Sequence, residues 1–228
     1  YSACEVTAKV GDGTSVRITE DTDYPFGDTV KLRIAAGSPA KFPLYLRIPG
    51  WCTGATVKVD GESIPVKPGP LSYVALRRWW KNGDSVTLTL PMAVRVHRWE
   101  KNQGSVSVDY GPLAFSLRIG ERWSRYGGTD QWPDNEVFAT TPWNYGLVLD
   151  AKSPAASFEV LRKSGPISAQ PFALETAPIE LRVNAKKIPN WRQDWQGLVS
   201  PLQPSPVKSA ERVEKVTLIP MGAARLRI

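Results

Sequence analysis

This 228-residue sequence predicts an all-β protein built from two β-sandwich or jelly-roll domains. Three observations carry that expectation. Apolar residues recur at every second position in many short runs, no stretch shows the three-and-four spacing of a helix, and 20 prolines and 18 glycines are spread along the chain, as many short strands and turns require.

The clearest strand is the run Phe-Pro-Leu-Tyr-Leu-Arg-Ile at 42–48, where Leu44, Leu46 and Ile48 alternate with Tyr45 and Arg47. Because strand side chains alternate between faces, one side of this run is apolar and the other polar. Val86, Leu88 and Leu90 repeat the pattern against Ser85, Thr87 and Thr89, after a turn at Asn82-Gly83-Asp84. Pro49 and Pro91 close the two runs, since proline has no N–H to give to a ladder. Further strands are predicted around Val16–Ile18, Val30–Ile34, Val57–Val59, Ile64–Val66 and Tyr73–Leu76. After a change of pattern near Trp99 come Val106–Val108, Leu113–Ile119, Tyr145–Leu149, Phe158–Val160, Ile179–Val183 and a terminal stretch from Val213. Two connections, 120–144 and 184–209, read as long loops, and their tryptophans argue against disorder.

Several of these segments carry a family likeness. Thr22-Asp-Tyr-Pro-Phe26, the stretch from Phe42 to Trp51, the stretch from Arg78 to Pro91, Tyr110-Gly-Pro-Leu113 and Leu218-Ile-Pro-Met-Gly222 together resemble the C-terminal β-domains of glycoside hydrolase family 127, the β-L-arabinofuranosidase-like group. The resemblance implies that the last segment returns to complete the first sandwich. The expected organisation is therefore a discontinuous first domain, 1–98 plus 212–228, with a second domain, 99–211, inserted in it. Val216, Leu218, Leu226 and Ile228 would face the core.

In that family the resemblance places catalysis in a preceding (α/α)6 barrel, where a cysteine nucleophile beside a zinc ion hydrolyses arabinofuranosides of plant glycans with retention. This sequence has Cys4, Cys52 and one histidine, His97. A thiolate zinc site needs three or four converging ligands, so no catalytic or metal-binding residue of the family maps here. The expected role is a non-catalytic accessory scaffold, inactive alone, with zinc confined to the absent barrel. The implied partner is that barrel in the same polypeptide. An apolar surface left uncovered would promote dimers. A bacterial, secreted or periplasmic setting goes with this reading. The first residues, Tyr1 to Val6, lack the regions of a signal peptide, as a C-terminal piece would.

Carbohydrate recognition is the alternative function. Indoles stack on the C–H faces of sugars while carboxylates bind hydroxyls, and Trp123, Tyr126, Asp130 and Trp132 supply both within ten residues. The same rings could instead pin a long loop to a sheet. Asp130, Asp134 and Glu136 are candidates for an acid–base pair, which needs carboxyl groups roughly 5–10 Å apart. Glu20, Asp21 and Asp23 lack the loop spacing of a calcium site and read as a solvated turn. His97 reads as a packed or hydrogen-bonded interface histidine near the domain boundary, and Cys4 and Cys52 as either a bridge or two free thiols.

The net charge of +7 does not gather into a stripe, and no nucleic-acid-binding motif accompanies it, so nucleic acid is not an expected partner. Nor is a membrane, since no apolar window of about 18 residues occurs.

Overall fold

The computed structural model describes residues 1–65, 68–199 and 201–227. Contacts divide the chain into two units, Tyr1–Ala93 and Val94–Ile228, and both are all-β.

The first unit contains β1 (Cys4–Val10), β2 (Thr14–Thr22), β3 (Thr29–Ala36), β4 (Ala40–Ile48), β5 (Thr56–Val59), β6 (Glu62–Ser63), β7 (Ser72–Trp80) and β8 (Ser85–Thr89). Six of them form an antiparallel sheet in the order β1-β2-β3-β8-β5-β6, while β4 and β7 pair into a separate ribbon. Alternation does what the sequence predicts: Val30, Ile34, Val57, Val86 and Leu88 from the sheet meet Phe42, Leu46, Ile48, Val74 and Trp80 from the ribbon in one buried cluster. That shared core makes the unit a two-layer sandwich. Burying such side chains removes apolar area from water at about 25 cal/mol per Å², the main force holding the layers together.

One corner of this core is polar. Trp80 is fully buried, and its indole N–H donates to the Phe42 carbonyl at 3.0 Å. Arg78 lies 5.0 Å over the Trp80 ring and reaches Asp60 at 3.5 Å and Asp84 at 3.6 Å. Asp84 is only 2% exposed, so its charge needs partners; besides Arg78 it accepts the Lys81 N–H at 3.0 Å. The turn it closes carries Gly83 at φ 91°, a left-handed conformation that glycine enters without a Cβ clash. The Gly83 N–H then donates to Ile34 on β3.

Strand β1 lies outside the sequence-based expectations. Its Cys4, Val6, Ala8 and Val10 alternate with Glu5, Thr7 and Lys9, yet none of its residues is buried; it is an edge strand held by its ladder to β2. The strand expected at Ile64–Val66 is instead the short β6, and Val66 lies outside the described residues.

The second unit contains β9 (Val94–Trp99), β10 (Ser105–Tyr110), β11 (Leu113–Leu117), β12 (Glu121–Gly128), β13 (Pro133–Ala139), β14 (Tyr145–Leu147), β15 (Glu159–Arg162), β16 (Ile179–Lys187) and β17 (Val213–Pro220). Seven of them make one antiparallel sheet in the order β14-β16-β17-β11-β10-β9, with β15 also on β16. Leu117, Leu181 and Leu218 align across β11, β16 and β17 and are buried. Ile219, on the opposite face, packs with Ala177, Ala223 and Ala224. Glu180 pairs with both Arg118 and Lys163.

Two expectations about domain organisation are corrected. Strand β17 pairs with β11 and β16, so the terminal segment builds the second unit's sheet and does not return to the first, which is the continuous stretch 1–93. The boundary falls before Val94, because β9 pairs along its whole length with β10. The physical reason is that alternation reports which side of a strand is buried, not which sheet it joins. Val216 and Leu218 are buried as expected, but 224–227 form no strand, Leu226 is half-buried, and Ile228 lies outside the described residues.

Candidate functional site

The expected loop at 120–144 is largely a β-hairpin. Strands β12 and β13 pair from Glu121↔Ala139 to Gly128↔Pro133, with a bulge that leaves Tyr126 unpaired between Arg125 and Gly127. Its sequence escaped strand recognition because few of its residues are apolar, and none is fully buried. A two-stranded ribbon without a buried face gives no alternation to read.

At the tip, the Thr129 N–H donates to the Trp132 carbonyl at 3.0 Å, and the Trp132 N–H to the Thr129 hydroxyl at 3.0 Å. Arg125 holds the turn from within. Its guanidinium donates to the Gly127 carbonyl at 3.0 Å, the Gly128 carbonyl at 2.9 Å and the Asp130 carboxylate at 2.7 Å. Gly128, at φ 70°, is required here: a Cβ would lie 2.2 Å from the Trp132 carbonyl oxygen.

All four residues singled out from the sequence sit on this hairpin. Tyr126 and Trp132 are 70% and 74% exposed, and Trp123 is 53% exposed with its indole N–H donating to Glu121 at 3.2 Å. The rings therefore do not pin a loop onto a sheet. Asp130 is exposed but committed to Arg125, and Asp134 and Glu136 lie along β13. Sequence reasoning missed Arg125, whose cue was an arginine placed to answer Asp130 across a glycine-rich turn. It also missed Arg122, stacked 4.6 Å over Phe138.

The remaining candidates fall elsewhere. His97 is exposed on β9, its ring edge-on to Trp99 at 4.2 Å, so it is not packed inside. Glu20 accepts the Ser2 N–H and, with Asp21, lies within β2 rather than in a turn. Both cysteines are free, Cys4 exposed and Cys52 buried, with burial pushing the Cys52 thiol pKa up. Among the described residues no three His, Cys, Asp or Glu side chains gather into a metal-binding group. These residues do not fit the zinc centre implied by the family resemblance, and no step of that chemistry is assigned to them.

Comparison with known proteins follows the same lines. Residues 1–92 match the model of the β-L-arabinofuranosidase GH127 middle domain, and 98% of the chain superposes on 30% of a GH127 β-L-arabinofuranosidase from Geobacillus stearothermophilus T6, with 27% identity and a TM-score of 0.62. The chain carries GH127-like β-domains. A glycoside hydrolase with 24% identity and a TM-score of 0.64 and a GH127 β-arabinofuranosidase with 20% identity and a TM-score of 0.61 share the fold. They are covered over 32% and 31% of their lengths by 98% and 96% of this chain. The GH127-like chain thus spans about a third of the structures it matches. No curated protein matches it.

Proposed function

We propose that this chain supplies non-catalytic β-domains of a GH127-like glycoside hydrolase, a scaffold for an (α/α)6 barrel of the same polypeptide that hydrolyses arabinofuranosides through its own cysteine and zinc. The observation that supports this is the GH127 middle-domain match over 1–92, joined to a superposition that extends through nearly the whole chain. Incubation of the chain with an aryl arabinofuranoside should release no phenol. Release that disappears in Asp130→Asn or Glu136→Gln would overturn the scaffold reading and make the hairpin carboxylates catalytic.

A second reading has its own support. Trp123, Tyr126 and Trp132 are exposed on one braced hairpin, and rings held in water beside polar groups suit sugar stacking. The test is a titration with arabinose-containing oligosaccharides followed by tryptophan fluorescence. A saturable change lost in Trp132→Ala supports a carbohydrate-binding hairpin. A flat response up to millimolar sugar leaves the scaffold role alone.

A further inference from the structure

The outward face of the β4–β7 ribbon is unlike the rest of the first unit. Alternation turns Lys41, Pro43, Tyr45 and Arg47 of β4 outward, and opposite them Trp79, Arg77, Ala75 and Tyr73 of β7, in register. Tyr45, Tyr73 and Trp79 are 52%, 65% and 61% exposed. Arg77 lies 5.9 Å over the Tyr45 ring and donates to its hydroxyl at 3.4 Å. The eight positions thus hold three rings, three cations and no carboxylate. From Tyr73 to Trp79 the strand runs about 20 Å at roughly 3.3 Å per residue, long enough for several sugar rings in a row.

We infer that this face binds an acidic polysaccharide, with Lys41, Arg47 and Arg77 meeting uronate carboxylates while Tyr45, Tyr73 and Trp79 stack on the sugar rings. Charge complementarity selects an anionic ligand, since nothing on the face would repel one and nothing neutralises its three cations from within. The spacing selects an extended one. The face interleaves ring and cation, with three cations, no carboxylate and only Pro43 and Ala75 as aliphatic residues among its eight positions, and that excess of one sign favours a polyanion. The choice of a sugar polymer over a single-stranded nucleic acid, which also uses rings and cations, rests on the GH127-like kinship on which the scaffold proposal also stands. The ribbon belongs to the first unit and the hairpin to the second.

The test is calorimetric titration of the whole chain with polygalacturonate, with neutral arabinan and single-stranded polythymidylate as comparisons. Polygalacturonate should bind, and its affinity should fall as salt shortens the Debye length from about 10 Å at 0.1 M to about 3 Å at 1 M. Trp79→Ala should weaken it roughly tenfold. The doubly substituted Lys41→Gln, Arg77→Gln chain, which leaves every ring in place, should weaken it and flatten the salt dependence. Trp195→Ala, which removes an exposed indole outside both the ribbon and the hairpin, should change nothing, and circular dichroism should show each variant folded. No binding of polygalacturonate, equal affinity for arabinan or polythymidylate, unchanged affinity in both face variants, or loss in Trp195→Ala would each overturn the assignment. Arabinofuranoside hydrolysis by the same chain reports separately on the scaffold role.

Discussion

Arg125 and Asp130 meet at 2.7 Å across the tip of the β12–β13 hairpin, and the same guanidinium takes two carbonyls of the intervening turn. Charge-assisted bonds of this length are the strong kind, but exposed ion pairs add little to global stability. Arg125→Ala should therefore leave the midpoint of thermal unfolding nearly unchanged while accelerating amide exchange at Thr129 and Trp132. Unchanged exchange at both amides would show that the turn holds itself without the arginine.

The Trp80–Phe42 contact calls for a larger response. Trp80 is fully buried, its ring centroid is 5.9 Å from that of Phe42, and its N–H is satisfied by the Phe42 carbonyl. Trp80→Ala removes packing and leaves a cavity, a loss of about 3–5 kcal/mol. Trp80→Phe keeps most of the volume but orphans the carbonyl partner, and should cost about 1–3 kcal/mol. Urea unfolding of the two variants gives the order directly; a smaller loss in the alanine variant would refute the packing argument.

Stability should also bend with pH at both ends of the second unit's range. Tyr145 donates to the Glu214 carboxylate at 2.7 Å. Burial, with that hydrogen bond and the adjacent charge, pushes the Tyr145 pKa up from 10.0 to about 12. Between those values the unfolded chain releases a proton that the folded chain keeps, so the Tyr145 contribution is present below pH 10 and lost as pH rises to about 12. Glu214 moves the other way. The bonds from Tyr145 and Arg212 hold its pKa below 4.5, so its contribution is present above that value and is lost as pH falls through the lower folded pKa. Tyr145→Phe should remove this part of the alkaline loss and weaken the acid-side effect. Tyr1, raised to about 12 by burial, should keep an alkaline loss in the first unit. A Tyr145→Phe chain with the parent's full stability–pH curve would contradict the linkage.

The two thiols should differ in reactivity. Cys4 is exposed, while Cys52 is buried with its pKa raised, and thiolate is the reactive form. A maleimide should label the native chain once, at Cys4, and label Cys52 only after denaturant. Native labelling that survives in Cys4→Ser would show that Cys52 is reached from solvent.

Much of the first sandwich was legible because its strands have one wet face and one dry face. The alternation of Leu44, Leu46 and Ile48, and of Val86, Leu88 and Leu90, names the strands and the side that packs. The hairpin was not legible, since it has no buried face to impose a pattern, and β1 lay outside the expectations although Cys4, Val6, Ala8 and Val10 alternate with Glu5, Thr7 and Lys9. Of the candidate site, Trp123, Tyr126, Asp130 and Trp132 stood out as residue types, but their exposure, and the role of Arg125 in bracing them, did not.

The sequence by itself determined the all-β class, the inward residues of most strands and the GH127-like motifs, because each depends on neighbours one or two positions away. Only the tertiary structure decided that β17 lies between β11 and β16, that Cys4 and Cys52 are both free, and that rings and cations share the outer face of the β4–β7 ribbon. Those facts depend on pairings between distant segments, and alternation along one strand does not specify its partner.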